Sequence, residues 1–173
     1  MVKNFLKRFN AIQWIIILLA ISINVFIIVN ACLPAEPSTE ESNWIVVLFK
    51  NIINAFRKDT INDSNIGEFS SFIRKFIGHF SLFMVSGFLT TLSIKFIHYD
   101  LKQKFILFLI ISCISGLFLA ILTEFIQLFV PGRSGEIRDV MIDFSGYLLA
   151  VAIVGLIVYM RKQKISKVEN QNE

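Results

Sequence analysis

Long apolar stretches separated by short polar segments dominate the pattern of this chain. A transmembrane helix needs about 20 predominantly apolar residues, and four stretches reach this length, at residues 11–32, 76–97, 105–130 and 140–160. Backbone polar groups in hydrocarbon must be satisfied within the segment itself, so each stretch is expected to be helical. The pattern therefore predicts an all-α integral membrane bundle of four transmembrane helices.

A shorter amphipathic stretch lies between the first two predicted spans. Over residues 44–58, apolar side chains recur every three or four positions from Trp44 to Phe56, and polar or basic residues fall on the other side. At about 15 residues the stretch is too short to cross a bilayer. We expect a helix that lies in the membrane interface. The same pattern also fits a helix that packs on the bundle as a cap.

The composition supports a membrane protein. Hydrophobic residues make up 55% of the 173 residues and charged residues only 17%, a balance that soluble domains rarely reach. The net charge of +4 does not indicate nucleic acid as a partner, because the basic residues lie at the ends of apolar runs and no nucleic-acid-binding signature is present. Cys32 and Cys113 are not expected to form a disulfide, since Cys113 lies in the middle of a span.

The whole chain, residues 1–173, is expected to form a single membrane domain. Its parts are a basic N-terminus with the first span at 1–32, an outer loop at 33–75, a three-span core at 70–160 and a basic cytoplasmic tail at 161–173.

Lysine and arginine residues at the ends of the spans predict their orientation. Short cytoplasmic segments carry an excess of these residues, which places both termini and the turn between spans two and three on the cytoplasmic side. The basic residues concerned are Lys3, Lys7, Arg8, Lys102, Lys104, Arg161, Lys162, Lys164 and Lys167. The predicted outer loops also contain basic residues, which weakens the asymmetry. In an alternative interpretation, the first span is a signal peptide that is cleaved or lipidated at Cys32.

Ionisable side chains near the ends of three predicted spans are the candidate functional residues. His79 lies about one turn inside the second span, Glu124 lies near the end of the third, and Asp139 and Asp143 open the fourth. At about 1.5 Å per residue, all lie within about 10 Å of one membrane surface. An ionisable group at the bilayer centre costs about 2.5–3.5 kcal/mol on insertion scales, so we expect these groups to face the bundle interior or a wet cavity and to pair.

Two interpretations of this set compete. In the first, the charges form a structural clasp that locks the three spans together. In the second, they line a pocket in which His79, with Glu124 or Asp143, acts as an acid/base pair. The tentative catalytic residues are then His79, Glu124, Asp139 and Asp143, and the tentative substrate-binding residues are Lys75, Gln127, Arg133 and Arg138.

Within this set, Arg133 and Arg138 are expected to be the cations that pair with the acids, and they could also hold phosphate or carboxylate together with Arg74 and Lys75. A metal held by His79, Glu124 and Asp143 is a weaker interpretation, because one histidine without local ligand spacing is a poor signal. We predict no metal and no cofactor.

Other polar residues give weaker signals. His98 borders a turn and is expected to meet lipid headgroups, whereas Ser134 lacks the strand–turn–helix context of a nucleophile. Ser112, Ser115 and Gly116 in the third span are expected to pack helices together.

Three segments together resemble the VanZ-like family of bacterial membrane proteins. They are RKFIGHF, TEFIQLFVPGR and RDVMIDFSG, and the resemblance covers roughly residues 70–157. Its motif elements are a basic residue four before a histidine, an E-x-x-Q pair, a PGR turn and a D-x-x-x-[DN]-x-x-G segment. They fall on Lys75, His79, Glu124, Gln127, Pro131, Gly132, Arg133, Asp139, Asp143 and Gly146.

The chain departs from the family pattern at two positions. Many relatives carry DEIHQ where this chain carries TEFIQ, so Thr123 and Ile126 replace an acid and a second histidine. If the replaced residues belong to a catalytic set, their absence puts catalysis by this chain in doubt.

The resemblance implies a role in resistance to glycopeptide antibiotics, teicoplanin in particular, in the bacterial plasma membrane. The leading hypothesis is a protein that acts at the outer leaflet and alters antibiotic access to cell-wall precursors. Its expected partners are membrane lipids and either a lipid-linked precursor or the glycopeptide. The alternatives are a membrane-embedded enzyme for a lipid-linked or phosphorylated substrate and a non-catalytic accessory subunit of another membrane protein. Transport is least favoured, because the chain shows no inverted repeat.

Overall fold

The computed structural model describes residues 9–97 and 105–169, and in this part of the chain all regular structure is helical. Five helices follow one another: α1 (Ala11–Ala31), α2 (Ala35–Phe56), α3 (Ile66–Ile97), α4 (Phe105–Gln127) and α5 (Ile137–Glu169). Four of the five, α1, α3, α4 and α5, are long and apolar enough to cross a membrane. The predicted all-α architecture with four spans and one shorter apolar helix is confirmed.

Several helix ends differ from the predicted ones. Helix α3 begins at Ile66 rather than at residue 76, and α5 extends beyond the predicted span at both ends. Apolarity fixes where a span can lie in a bilayer, but a helix continues into water wherever its sequence contains no breaker. Several residues used in the sequence analysis lie outside the described part of the chain, namely Lys3, Lys7, Arg8, His98, Lys102 and Lys104.

Helix α2 contacts the beginning of α3. The connection is held by Asn54, whose amide donates to the carbonyl of Ile61 and accepts from its N–H, both at 2.9 Å. The apolar side chains of Trp44 and Phe56 remain 65% and 90% exposed. An interfacial position for α2 remains a prediction, since this apolar surface suits a lipid boundary.

Helix α3 changes its winding in the middle. An α-helical start, Ile66–Ile73, is followed by a π-helical segment, Arg74–Phe80, and by a second α-helical part, Ser81–Ile97. The rings of Phe72, Phe76 and Phe80 stack along this segment, with centroids 5.6 and 5.0 Å apart. π-Helical turns are rare and often occur at functional sites.

Helix α5 packs against both α3 and α4, and Tyr147 is at the centre of these contacts. Only 1% of Tyr147 is exposed, and its hydroxyl lies 2.8 Å from that of Ser115 in α4. Gly87 and Gly116 provide the space for it, because a Cβ at Gly116 would overlap the tyrosine ring and one at Gly87 would lie 2.8 Å from the tyrosine carbonyl oxygen. Close approach at small residues is the usual basis of helix packing in membranes.

Polar side chains attach α1 to the rest of the bundle. The amide of Asn24 donates to the hydroxyl of Thr90 at 2.9 Å and accepts from the hydroxyl of Ser86 at 2.9 Å. At the end of α1, the guanidinium of Arg133 donates to the carbonyls of Leu33 at 2.9 Å and Asn30 at 3.4 Å. These contacts make the first span an integral part of the bundle.

Candidate functional site

Charged side chains from α3, α4, α5 and the loop before α5 meet at one end of the bundle. We call this set the polar cluster. It consists of Lys75, His79, Glu124, Glu136, Asp139 and Asp143.

The outer part of the polar cluster is organised by Lys75, in the π-helical segment of α3. Its Nζ lies 2.7 Å from Oδ1 of Asp139 and 3.1 Å from Oε2 of Glu136. The side chain of Asp139 is 10% exposed and that of Glu136 is 45% exposed. The hydrogen bond from Lys75 lowers the pKa of Glu136, and the lysine charge acts in the same direction.

The inner part contains His79 and Asp143. Nδ1 of His79 lies 3.1 Å from Oδ1 of Asp143. The side chain of Asp143 is only 1% exposed, whereas that of His79 is 27% exposed. A carboxylate accepts hydrogen bonds, so this contact requires a proton on Nδ1, which leaves Nε2 of a neutral ring as an acceptor. The pair has the composition of a general acid or base that is oriented by a buried carboxylate.

Glu124 approaches the inner pair from the end of α4. Only 4% of this residue is exposed, and its Oε2 accepts a hydrogen bond of 2.9 Å from the backbone N–H of Glu136. Ligand atoms of His79, Glu124 and Asp143 all lie within 4.8 Å of one another. The structure therefore brings together three of the four tentative catalytic residues, and the fourth, Asp139, contacts Lys75 beside them. Their catalytic role remains a prediction.

Two glycines allow the chain segments to approach here. A Cβ at Gly146 would collide with the carbonyl oxygen of Phe80, at the end of the π-helical segment. A Cβ at Gly135 would collide with the carbonyl oxygen of Glu124. Close backbone contact brings α5 and its preceding loop within reach of His79 and Glu124.

The remaining tentative binding residues occupy different environments. Gln127 is buried one turn after Glu124, and Arg138 is exposed. Arg133 reaches back to the end of α1. Burial lowers the pKa of Arg133, and the nearby charge of Glu124 opposes this change. The contacts to Asp139 and Asp143 are made by Lys75 and His79, where we had expected the two arginines. The side chain of Arg74 lies outside the described part of the structure.

A family model described as VanZ/LLP1 matches residues 13–159. The chain belongs to this family. The match extends beyond the three motif segments and includes α1 and α2. Comparisons with curated proteins and with solved structures found no match.

In this VanZ-like protein, Glu136 has contacts that the sequence did not predict. Its side chain pairs with Lys75, and its backbone N–H holds Glu124. The available signal was its position three residues before Asp139, which places both on one face at the start of a helix.

The two departures from the family pattern lie beside the VanZ-like polar cluster. Thr123 is 2% exposed, and its hydroxyl donates to the carbonyls of Leu119 and Ala120 at 3.1 and 3.0 Å. Ile126 is half-buried. Thr123 is thus satisfied within its own helix, and His79 is the one histidine among the described residues.

Proposed function

We propose that this VanZ-like protein contributes to glycopeptide resistance, teicoplanin in particular, through its polar cluster at the outer surface of the bacterial plasma membrane. The observation that carries the proposal is the convergence of Lys75, His79, Glu124 and Asp143 from three spans at one end of the bundle. Ionisable residues within membrane spans are costly, and they commonly mark functional sites. The link to glycopeptides is what the resemblance to the VanZ-like family implies.

The orientation of α5 supports an outward-facing cluster. Asp139 and Arg161 are 22 residues apart on this helix, which corresponds to about 33 Å. A hydrocarbon core is about 30 Å thick, so a membrane-spanning α5 is long enough to carry the two residues to opposite surfaces. Arg161, Lys162 and Lys164 are exposed and favour the cytoplasm, which supports a cluster on the outer side.

The outer surface is where a glycopeptide would meet its lipid-linked cell-wall precursor. His79 and Lys75 are partly exposed, so polar headgroups can reach them. The apolar side of α2 offers a neighbouring surface for lipid. The proposed partners are therefore membrane lipids together with a lipid-linked precursor or the glycopeptide itself.

Expression in a teicoplanin-sensitive bacterial strain tests this function. The wild-type protein is expected to lower susceptibility, and His79→Ala and Glu124→Gln are expected to remove the effect. The matched control is Glu68→Gln, an identical change at an exposed position of α3. Unchanged susceptibility with a well-accumulated wild-type protein would refute the resistance role.

Protein levels in the membrane fraction separate function from structure. If His79→Ala and Glu124→Gln accumulate like Glu68→Gln but lose the effect, the cluster acts in resistance. If both stop accumulation while the control does not, the cluster is a structural clasp.

The contact between His79 and Asp143 favours a second candidate, a membrane-embedded enzyme for a lipid-linked or phosphorylated substrate. A buried carboxylate 3.1 Å from a partly exposed imidazole is suited to proton transfer. Under this hypothesis His79 is the acid or base, and Asp143 orients it. Asp143→Asn should then lower turnover more than it raises KM, since positioning acts on the chemical step. Equal turnover in the folded variant would exclude this role.

A further inference from the structure

Two buried carboxylate oxygens in the polar cluster lack a hydrogen-bond partner. Among the described residues, the buried side-chain atoms in this condition are Oε1 of Glu124, Oδ2 of Asp143 and the hydroxyl oxygen of Thr91. Buried polar groups are nearly always partnered, and an unpaired one is costly. Because two unpaired carboxylate oxygens lie in one cluster, they suggest a common missing partner, which the single threonine hydroxyl does not.

Among the described residues, no lysine or arginine makes a hydrogen bond to either of these two oxygens. Lys75 is shared by Asp139 and Glu136, and Arg133 acts on Glu124 through its charge. Glu124 and Asp143 are 4% and 1% exposed, and a ligand atom of each lies within 4.8 Å of one from His79. In the protonation state that metal ligation requires, two carboxylates and a neutral imidazole carry a charge of −2, which a divalent cation would cancel. A low-dielectric environment favours such neutralisation.

We propose that His79, Glu124 and Asp143 form a binding site for a divalent transition-metal ion, for which Zn²⁺ is the best match. Each residue offers one ligand atom, and these atoms lie within 4.8 Å of one another. This assignment replaces our sequence-based expectation that the protein has no metal site. Cation binding would stand whether or not the protein confers resistance.

The distances suit a small cation. Bonds of about 2.0–2.2 Å in a tetrahedral site place neighbouring ligand atoms about 3.3–3.5 Å apart. The separation between His79 Nδ1 and Asp143 Oδ1 is 3.1 Å, close to this value, and an ion bound there would displace the Nδ1 proton that joins the two atoms in the metal-free protein. The widest separation between ligand atoms in the triplet is at most 4.8 Å, so closure requires an inward shift of no more than about 1.5 Å.

Glu124 is already oriented from outside the triplet. The backbone N–H of Glu136 occupies its Oε2 at 2.9 Å and leaves Oε1 for another partner. Hydrogen bonds of this kind commonly fix metal ligands in place. His79 is 27% exposed at its side chain and gives the ion a route to the buried acids.

The ligand types select the class of ion. Imidazole nitrogen favours Zn²⁺ and its neighbours over Mg²⁺ and Ca²⁺, whereas carboxylates accept both classes. At a mixed site, Zn²⁺ binds more tightly than Mn²⁺ in the general affinity order of these metals. Three protein ligands also leave a coordination position for water or for a substrate oxygen.

Direct binding measurements on the purified full chain test the site. The protein is prepared in detergent without a polyhistidine tag, stripped with a chelator and titrated with Zn²⁺, Mn²⁺ or Mg²⁺. We expect about one Zn²⁺ per chain, weaker Mn²⁺ binding and no saturable Mg²⁺ binding. His79→Ala, Glu124→Gln and Asp143→Asn should each weaken Zn²⁺ binding more than about tenfold.

The controls separate this site from adventitious binding. Glu68→Gln removes a distant, exposed carboxylate and should stay within about twofold of the wild type. A Cys32→Ser, Cys113→Ser double variant should also retain the ion. Absence of stoichiometric Zn²⁺, or binding that survives all three ligand substitutions, would overturn the proposal.

A measurement on the wild-type protein covers the case in which the ligand variants do not fold. Co²⁺ bound in place of Zn²⁺ reports its ligands through X-ray absorption. One imidazole with oxygen neighbours is expected. Sulfur neighbours, or a shell of oxygen alone, would contradict the assigned ligands.

Discussion

Nδ1 of His79 lies 3.1 Å from Oδ1 of Asp143, across the contact between the π-helical segment of α3 and the first turns of α5. The two residues are 64 positions apart in the chain, so their contact reports on the packing of the two spans. Asp143 is 1% exposed, and its carboxylate therefore depends on the imidazole for a partner. Substitution of either residue should therefore change how much the other contributes to the free energy of unfolding.

A double-mutant cycle on His79 and Asp143 should show strong coupling. His79→Ala leaves a buried acid without its partner and is expected to cost about 3 kcal/mol of unfolding free energy. The double variant with Asp143→Asn should be more stable than the sum of the single effects by about 1–3 kcal/mol. Equilibrium unfolding in mixed detergent micelles measures all four proteins. Additive effects within about 0.5 kcal/mol would show that the pair is not coupled.

The sequence was sufficient to predict the four spans and the end of the bundle where His79, Glu124 and Asp143 meet. Both follow from local properties, namely the length of the apolar runs and the distance of each residue from the end of its run. The partner of each acid could not be predicted. Lys75 pairs with an acid that we had expected to pair with an arginine. The partner of a side chain depends on how the helices are rotated about their axes and how far apart they lie.

The rotation and separation of these helices depend on features that the sequence does not reveal. The winding of residues 74–80 changes how Lys75 and His79 are presented, and the segment contains no proline or other marker of a π-helical turn. A glycine such as Gly146 can serve several purposes in a helix, and only the fold shows that this one makes room for the carbonyl of Phe80. A pattern of residue types could not supply these distances.

Gly116→Ala should destabilise the bundle, because its new methyl group would overlap the ring of Tyr147. The ring is buried and has little room to move, so the expected cost is about 1–3 kcal/mol. Gly67→Ala is the matched control, since its methyl group would meet nothing within 4 Å. Thermal unfolding compares the two variants. Similar stabilities would mean that the helices around Tyr147 are less tightly packed than described.

Glu136→Gln should reduce stability at neutral pH but not in acid. The hydrogen bond from Lys75 lowers the pKa of Glu136 below its usual value of 4.5, so the charged form is favoured in the folded protein. Its contribution is present above pH 4.5 and is lost as the pH falls through the lower folded pKa. Melting curves across this range should show the wild type and the variant converging on acidification. A constant difference would assign the effect to something other than this ion pair.

Asn24→Leu should weaken the attachment of α1. The substitution removes hydrogen bonds to Thr90 and Ser86, and such bonds between membrane helices contribute about 0.6–1.7 kcal/mol. Asn51→Leu is the control, at an exposed position of α2. Unfolding in mixed micelles measures the difference. A silent Asn24→Leu would show that these hydrogen bonds do not stabilise the attachment of α1.

Cysteine labelling in intact cells should place the polar cluster outside and the end of α5 inside. In a background with Cys32→Ser and Cys113→Ser, a cysteine at Ser134 reports on the loop beside Glu136, and one at Lys164 reports on the far end of α5. Both positions are exposed, so a membrane-impermeant maleimide should distinguish them by location alone. Ser134→Cys should react in intact cells, and Lys164→Cys should react only after the membrane is opened.

Because Ser134 and Lys164 are on opposite sides of the same span, the reverse pattern would mean that the protein is inserted in the opposite orientation. The cluster would then face the cytoplasm, and an encounter with a glycopeptide at the outer surface would be excluded.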